Sequence, residues 1–285
     1  MLNKKVLTTL AVIFLLIDCA LVVIKLNQNQ SQSQAHHKPK PIHKEKPNYK
    51  YSIFLTSDDG PLKATPVLNQ IVLDYEFPLT VFLVGRPMSQ NAALKKGYID
   101  YRKNPYVLIA NHSFTHANFH YKKYYSNPNN VIDDFQKNEE YLNITSKIAR
   151  FPGRNVWAIG GVIKGERDAQ PSARLLATDY GYTTFGWDYE LRFSKSGEIK
   201  RDASYHYRRI KQLLKEQKTF TQNQLVVLMH DQMFASKKSQ EVLGELVLLL
   251  QNDNECKLKL LSEYKAPYRR KKLNDLWYAK AKDLY

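Results

Sequence analysis

Two neighbouring carboxylates are the groups of this sequence whose position first suggests chemistry. Asp58 and Asp59 stand in the stretch TSDDG, where an apolar run from Ser52 to Leu55 meets a Gly-Pro turn. An Asp-Gly pair often forms only a solvated turn. Adjacent carboxylates at the end of a strand repel each other, however, so their use in a site requires a positive partner nearby.

Three histidines follow at spacings of four residues. His112, His116 and His120 lie in NHSFTHANFH, and this spacing brings imidazoles to one face of a helix. Zinc binds neutral imidazole nitrogen and carboxylate oxygen. One His-x-x-x-His pair is weak evidence, but with carboxylates after another strand of the same sheet it favours a metal site. Three histidines alone could also form one; we rank His120 below Asp59 as the third ligand because its aromatic neighbours suggest packing.

Other polar groups also follow apolar runs. Arg150 begins RFPGRN, Trp187, Asp188 and Glu190 lie in GWDYE, and His230 ends LMH. A guanidinium forks onto carboxylates and holds them ionised, so an arginine at the same edge could orient one aspartate. A histidine at a strand end is either a packed core residue or an acid–base group. Each residue alone is ordinary, and only their joint position would make a site.

The elements that must position these groups alternate along the chain. Seven apolar runs predict strands at 51–56, 79–84, 107–110, 148–151, 182–187, 225–230 and 257–262. Helical patterns cover 64–75, 131–144 with Asn130 as its cap, 203–217 and 237–252. Alternating strands and helices predict a parallel α/β sheet, either a closed barrel or a doubly wound sheet. In a parallel barrel, the site lies at the carboxyl ends of the strands.

The N-terminal region is predicted to be separate from this sheet. Residues 6–24 form an apolar run that, as a helix, would extend roughly 28 Å, close to the ~30 Å hydrocarbon core of a bilayer. Because no small-x-small cleavage site follows closely, an uncleaved signal anchor is the first expectation and a cleaved, secreted form the alternative. We therefore expect a membrane-anchored protein with an exported catalytic domain.

Composition divides the chain into segments and argues against two classes of protein, nucleic-acid-binding proteins and disulfide-stabilised ones. We expect an anchor at 1–25, a basic flexible linker at 26–49, one domain at 50–264 and a basic tail at 265–285. Of the net charge of +16, residues 1–50 carry +6 and residues 265–285 carry +5. Because the excess lies in the tails, and no zinc finger or aromatic-basic RNA motif appears, nucleic acid is not the expected partner. Two cysteines cannot build a disulfide framework.

Five short motifs together resemble the NodB-type polysaccharide deacetylases, carbohydrate esterase family 4. They are TSDDG at 56–60, HSFTH at 112–116, RFPG at 150–153, WD at 187–188 and LMH at 228–230, in the order found in that family. The likeness extends over roughly residues 50–262. It implies a distorted barrel, here of the (β/α)7 type.

The resemblance also implies roles for these residues. Asp59, His112 and His116 would bind one divalent metal ion, with zinc as the first expectation and cobalt or nickel as alternatives. Asp58 would act as the base and His230 as the acid in amide hydrolysis. The implied reaction removes N-acetyl groups from N-acetylated amino sugars of a cell-envelope glycan. We expect a monomer.

The remaining site residues follow from the same resemblance. Arg150 and Asp188 are the further catalytic residues expected, and Leu228, Trp187 and Pro152 are expected to contact substrate. The fourth motif departs from the family, because the chain reads LRF at 191–193 where an Asp-Trp-like pair is usual. Either Asp188 or Glu190 could fill that role. The alternative function is a non-catalytic, membrane-anchored relative that binds carbohydrate.

Overall fold

A computed structural model describes residues 49–267, in which ten strands form one sheet with eight α-helices around it. The strands are β1 Tyr51–Gly60, β2 Leu79–Leu83, β3 Val107–Asn111, β4 Ile148–Ala149, β5 Val156–Ile159, β6 Val162–Gly165, β7 Thr183–Thr184, β8 Tyr189–Glu190, β9 Gln224–His230 and β10 Cys256–Leu258. The helices are α1 Thr65–Tyr75, α2 Gly85–Gln90, α3 Lys95–Lys103, α4 Tyr121–Tyr125, α5 Pro128–Tyr141, α6 Gln170–Tyr180, α7 Ala203–Lys215 and α8 Lys237–Gln251.

Most of the sheet is one parallel row in the order β7-β4-β3-β2-β1-β9-β8. The strand β10 pairs in parallel with the first residues of β1. Beyond β7, the antiparallel hairpin of β5 and β6 extends the sheet. The carboxyl ends of β1, β3, β4 and β9 therefore meet at one edge, which is where the sequence predicted the site.

The parallel row curls so that one short segment spans from one end of it to the other. The strands β7 and β8 stand at opposite ends of the row, yet only residues 185–188 separate them, so their nearest residues are at most about 18 Å apart. Within it, Phe185 N–H donates to Ala149 O at 2.8 Å, and Asp188 N–H donates to Val226 O at 2.9 Å. One crossing segment thus joins both edges, and the result is a distorted α/β barrel.

The structure contains the strands and helices predicted from the sequence, together with others that were not predicted. All seven predicted strands and four predicted helices are present, although β4, β7 and β10 are shorter than expected. The sequence reading missed the hairpin of β5 and β6, the short strand β8 and the helices α2, α3, α4 and α6. The predicted cap Asn130 is wrong: Asn127 accepts a hydrogen bond from Asn129 N–H, and Pro128 starts α5. Proline suits that place because the first N–H of a helix has no intrahelical partner.

Three groups of buried side chains form the core. The largest lies between the sheet and the helices α1, α3, α7 and α8, and a second lies under α5 and α6. The third fills the barrel and includes Phe54, Phe82 and Val226. Because side chains alternate along a strand, Asp58 of β1 and His230 of β9 share the inward face with Phe54 and Val226. The barrel interior therefore leads directly to the predicted catalytic residues.

The predicted anchor at 6–24 lies outside the described residues, as do nearly all of the linker and most of the tail. Within 49–267, none of the helices combines the length and the apolar character needed to cross a bilayer.

Candidate active site

The two carboxylates of β1 meet different partners because the strand changes its path between them. Its pairing with β2 is regular up to Asp58, and the register then shifts before Gly60. Asp59 lies in this irregular step with a left-handed φ of 71°. Asp58 is consequently buried inside the barrel, at 4 % exposure, whereas the side chain of Asp59 is 26 % exposed beside two histidines.

Arg150 occupies the centre of the barrel just below the site. Its side chain is fully buried, and its Nη1 donates to Asp58 Oδ1 at 2.8 Å and to Thr56 Oγ1 at 2.7 Å. Its other nitrogens donate to the carbonyl oxygens of Phe185 at 3.1 Å and Gly186 at 2.9 Å. The arginine thus pairs with Asp58 and also binds the segment that closes the barrel. Burial lowers the pKa of the guanidinium, and Asp58 opposes that effect.

The two histidines follow β3 on a tightly turned loop. His112 Nδ1 lies 2.9 Å from the carbonyl oxygen of Arg150, so this nitrogen donates and Nε2 remains directed toward the aspartates. His116 N–H donates to Ser113 Oγ at 3.1 Å, and both residues have left-handed φ angles. Asp134 of α5 supports the loop by accepting hydrogen bonds from the N–H and the hydroxyl of Thr115.

Asp59, His112 and His116 form a cluster whose ligand atoms all lie within 4.8 Å of one another. Asp59 Oδ1 is 3.0 Å from His116 Nε2 and 3.5 Å from His112 Nε2. This oxygen is buried and has no hydrogen-bond partner in the described part of the chain. One carboxylate and two imidazoles are a ligand set that zinc accepts, so these residues fit a divalent metal ion.

The charges of the cluster favour an ionised carboxylate. Burial opposes ionisation of Asp59, but the close contacts and charges of His112 and His116 hold its pKa well below the usual range. Burial lowers the pKa of His112, and the charges of Asp58 and Asp59 more than reverse this, so the pKa is raised. A negative oxygen therefore faces two ring nitrogens, and metal binding there requires both rings to be neutral.

His230 ends β9 beside the carboxylates. Its Cα pairs in register with that of Asp58, so the two residues lie on adjacent strands of the same edge. The ring is half-buried and lies 5.5 Å from the ring of Phe193. Within residues 49–267, the buried Nδ1 has no hydrogen-bond partner. The ring of Phe193 therefore packs beside this histidine, and no carboxylate of residues 49–267 accepts a hydrogen bond from its Nδ1.

The residues of the fourth motif have other contacts. Asp188 accepts hydrogen bonds from the backbone N–H groups of Phe220 at 2.6 Å and Val226 at 2.8 Å. Burial raises its pKa to about 6, against the effect of these two donors. Glu190 faces Arg192 at 3.9 Å on the surface. The contacts of Asp188 support the closing segment, and neither carboxylate has a contact with His230.

The predicted substrate-contacting residues lie around the same edge. Leu228 is buried on the inward face of β9, two residues before His230. The Trp187 ring is half-buried and stands 6.0 Å from the Arg150 guanidinium. Pro152 is buried, and its carbonyl oxygen accepts a hydrogen bond from Tyr125. His120 is exposed and is not part of the cluster of Asp59, His112 and His116.

Sequence reasoning missed Asp231, which follows His230 directly. Asp231 is fully buried and accepts hydrogen bonds from Ser57 at 2.6 Å, Thr65 at 2.5 Å and Tyr101 at 3.0 Å. These hydroxyls belong to β1, α1 and α3, so one carboxylate holds three elements beside Asp58 and Asp59. A charged residue directly after a strand-end histidine was the available signal. Burial raises the pKa of Asp231 to about 6, and the three donors oppose that rise.

The comparisons with known proteins agree with this fold. The polysaccharide deacetylase family model matches residues 45–156, which include both aspartates and the two histidines of the cluster. No curated protein matches the sequence. The catalytic domain of a peptidoglycan N-acetylglucosamine deacetylase from Eubacterium rectale is 18% identical with a TM-score of 0.54. The alignment covers 77% of this chain and 93% of that one.

Two further solved structures have the same fold. A family 4 carbohydrate esterase from Streptococcus mutans is 18% identical with a TM-score of 0.55, over 75% of this chain and 87% of its own. A family 4 pseudoenzyme from Bacillus anthracis is 19% identical with a TM-score of 0.50, over 76% of this chain and 66% of its own. The resemblance to the NodB-type polysaccharide deacetylases of carbohydrate esterase family 4 is thereby confirmed.

Proposed function

We propose that this chain, similar to the polysaccharide deacetylases, is a metal-dependent hydrolase that removes N-acetyl groups from amino sugars of a cell-envelope glycan. The observation that carries the proposal is the contact between two sets of groups at one edge of the barrel. One set is the cluster of Asp59, His112 and His116, and the other is the buried pair of Asp58 and Arg150. A binding module has no need of the second set.

The cluster would hold one divalent ion, for which zinc is our proposal. When bound, such an ion lowers the pKa of water toward about 7 and polarises a carbonyl oxygen. The protein supplies the geometry for it: His112 is oriented by its bond to the carbonyl oxygen of Arg150, and the buried Asp59 Oδ1 lacks another partner among residues 49–267. Ligands fixed in this way need little rearrangement when the ion binds.

Asp58 is the proposed general base. One of its oxygens, Oδ1, is bonded to Arg150 at 2.8 Å, while Oδ2 lies 3.6 Å from His112 Nε2 at the cluster. The guanidinium keeps this carboxylate ionised and fixes its rotamer inside the barrel. Asp58 Oδ2 is then oriented to accept the proton of the attacking water while Arg150 stays in place.

His230 is the proposed general acid. It lies beside Asp58 on the neighbouring strand, and adjacent strands stand about 4.8 Å apart. A protonated imidazole there can donate to the amine that leaves when the amide bond breaks. The inward face of Leu228 suits the acetyl methyl group, and the half-buried ring of Trp187 suits the sugar.

Acetate release by the purified full-length protein tests the proposal. The substrates are N-acetylglucosamine oligomers, peptidoglycan strands and poly-N-acetylglucosamine, each assayed with added zinc, cobalt or nickel and after chelation. We expect metal-dependent acetate release from at least one polymer, which the Asp58→Asn variant loses. Metal-loaded, folded protein that releases no acetate from any of them contradicts the proposal.

A non-catalytic carbohydrate-binding protein is the second candidate. The observation in its favour is that His230 Nδ1 has no orienting partner within 49–267. A binding protein of this kind retains glycan affinity without turnover. In that case the Asp58→Asn and His230→Ala variants bind the glycan as the unchanged protein does, and none of the three proteins releases acetate.

We also propose that residues 6–24 anchor the protein with its catalytic domain outside the cytoplasmic membrane. The support is the length of this apolar run and the absence of a nearby cleavage site. Protease added to intact spheroplasts then digests the domain while cytosolic markers survive. A domain that is protected until lysis overturns this proposal.

A further inference from the structure

Phe119 is an exposed aromatic side chain immediately beside the metal-binding cluster. It is 76% exposed, more than any other large hydrophobic residue within 49–267. Its ring centroid lies 5.2 Å from that of His116, a member of the cluster. Exposing a phenylalanine to this extent forgoes most of its hydrophobic stabilisation. At the edge of the candidate site, the exposed face of this ring is available to stack on a ligand.

The backbone holds Phe119 in this position. His116, Ala117, Asn118 and Phe119 have consecutive left-handed φ angles between 48° and 59°, which side-chain-bearing residues seldom adopt. The hydrogen bond from Arg86 of α2 to the Asn118 side chain fixes the loop from outside. Backbone strain of this kind collects at ligand-binding sites. The loop therefore directs the phenyl ring outward while His116 remains in the cluster.

The ring borders an open groove of about 620 Å³. A volume of this size suits a ligand of one or two sugar rings. The groove is lined by Phe119, His120, Tyr121, Lys122, Lys123 and Ser126. The ring of Tyr121 also lies 5.9 Å from His116, so the groove and the cluster share a wall.

The charge of the groove is one-sided. Lys122 and Lys123 are both exposed at its rim, and none of the six lining residues is acidic. Neither lysine forms an ion pair with another residue of the described chain. Two cations without counter-ions beside an aromatic ring favour a ligand that combines an apolar face with a negative group.

We propose that this groove, the Phe119 groove, binds the sugar next to the one that is deacetylated, and that this neighbouring sugar carries an anionic substituent. The C–H face of the sugar stacks on the phenyl ring, whose face is electron-rich. Lys122 and Lys123 pair with the anionic group. The inference rests on the proposed deacetylase function and narrows its substrate to glycans with alternating acetamido and acidic sugars.

Steady-state kinetics on two oligosaccharides of equal length test whether the Phe119 ring contributes to substrate binding. One is a neutral N-acetylglucosamine hexamer, and the other is a peptide-free peptidoglycan hexasaccharide in which every second sugar bears a lactyl carboxylate. We expect Phe119→Ala to raise KM for both about tenfold, as the loss of one aromatic contact implies, with metal content retained. Phe119→Tyr keeps the ring and should restore KM, whereas Phe119→Leu should not.

The role of Lys122 and Lys123 is tested by comparing the KM of an acidic substrate with that of a neutral one. The double variant Lys122→Gln/Lys123→Gln should raise KM for the acidic hexasaccharide about tenfold and leave KM for the neutral one within about twofold. Matched controls at the opposite end of β1 are Tyr49→Ala, also an exposed aromatic, and Lys50→Gln/Lys257→Gln. Unchanged KM values for Phe119→Ala, or equal effects of the lysine variant on both substrates, overturn the proposal.

Direct binding separates this proposal from the proposed function. Calorimetric titration of the zinc-loaded protein with the same hexasaccharides measures binding affinity even where no acetate is released. No turnover together with tight, Phe119-dependent binding of the acidic hexasaccharide refutes the hydrolase and retains the groove. Normal turnover with affinities that Phe119→Ala does not change retains the hydrolase and refutes the groove.

Discussion

The barrel side of the site and the loop side are built in opposite ways. On the barrel side, Asp58 and Arg150 are buried, and the guanidinium has four hydrogen-bond acceptors within the protein. On the loop side, Asp59 and His116 are partly exposed, and each keeps a buried polar atom without a partner among residues 49–267. Next to them, Phe119 extends into solvent.

On the barrel side the protein itself supplies the partners of the polar groups, whereas on the loop side a ligand would supply them. A buried charge pair with all its acceptors present is rigid, and its loss is costly because each partner would be left desolvated. Polar atoms without partners, on a strained loop, gain their interactions only when something binds. We therefore expect the barrel side to control folding and proton transfer, and the loop side to control metal and substrate affinity.

The largest effect is expected from removing the guanidinium. Arg150→Met leaves Asp58 buried without a counter-charge and leaves the carbonyl oxygens of residues 185 and 186 without donors, so stability should fall by about 3–5 kcal/mol. Urea unfolding measures it. The matched control is Arg154→Met, whose partly exposed ion pair with Asp168 should cost no more than about 1 kcal/mol. Equal losses for both variants would show that the barrel side is no more rigid than the surface.

The two aspartates should separate metal binding from proton transfer. Asp58→Asn keeps the shape and leaves the cluster intact, so metal should stay bound while turnover falls about 10²–10⁴-fold, as for loss of a general base. Asp59→Ala removes a ligand, so metal and activity should be lost together. Mass spectrometry gives the metal content, and acetate release gives the turnover. Loss of metal in Asp58→Asn with retention in Asp59→Ala would invert the assignment.

The buried Asp231 predicts a pH dependence of stability. Burial raises its folded pKa from 3.8 to about 6, so between these values the folded state holds a proton that the unfolded state has released. Stability should therefore fall as pH rises from about 4 to about 6, by roughly 3 kcal/mol, and stay constant above. Asp231→Asn should lack this contribution and keep the similar one of Asp188, whose folded pKa burial also raises to about 6. Unfolding free energies of both proteins from pH 4 to 7 give the difference, and identical slopes would refute the assignment.

The smallest effect is expected on the loop. Thr115→Val removes the hydroxyl that donates to Asp134 at 2.9 Å, so stability should fall by about 1 kcal/mol. Because Thr115 lies between the two ligand histidines, the metal dissociation constant should also rise by up to about tenfold. Thr178→Val, at an exposed threonine on α6, is the control and should change neither. If Thr115→Val lost more than about 3 kcal/mol of stability, as expected for a variant on the barrel side, the two sides would not differ.

Much of the fold followed from local pattern. The apolar runs that became β1, β2, β3 and β9 predicted their strands to within one residue at the start, because a buried parallel strand is apolar on both faces. Those strands then predicted that Asp58, His112, Arg150 and His230 would meet, since parallel strands bring their carboxyl ends to one edge. The two-residue strand β8 carries no such signal and was missed, as was the hairpin of β5 and β6, whose two strands are only four residues long each.

The sequence by itself determined which groups stand at that edge, because residue type and strand position are local properties of the chain. Only the tertiary structure decided their partners. Asp188 binds the N–H groups of Phe220 and Val226, 32 and 38 residues away, and Asp231 binds hydroxyls of Ser57 and Thr65, 174 and 166 residues away. The outward position of Phe119 likewise depends on four left-handed residues. Such contacts depend on how the sheet curls and where the loops turn, which the spacing of residues does not encode.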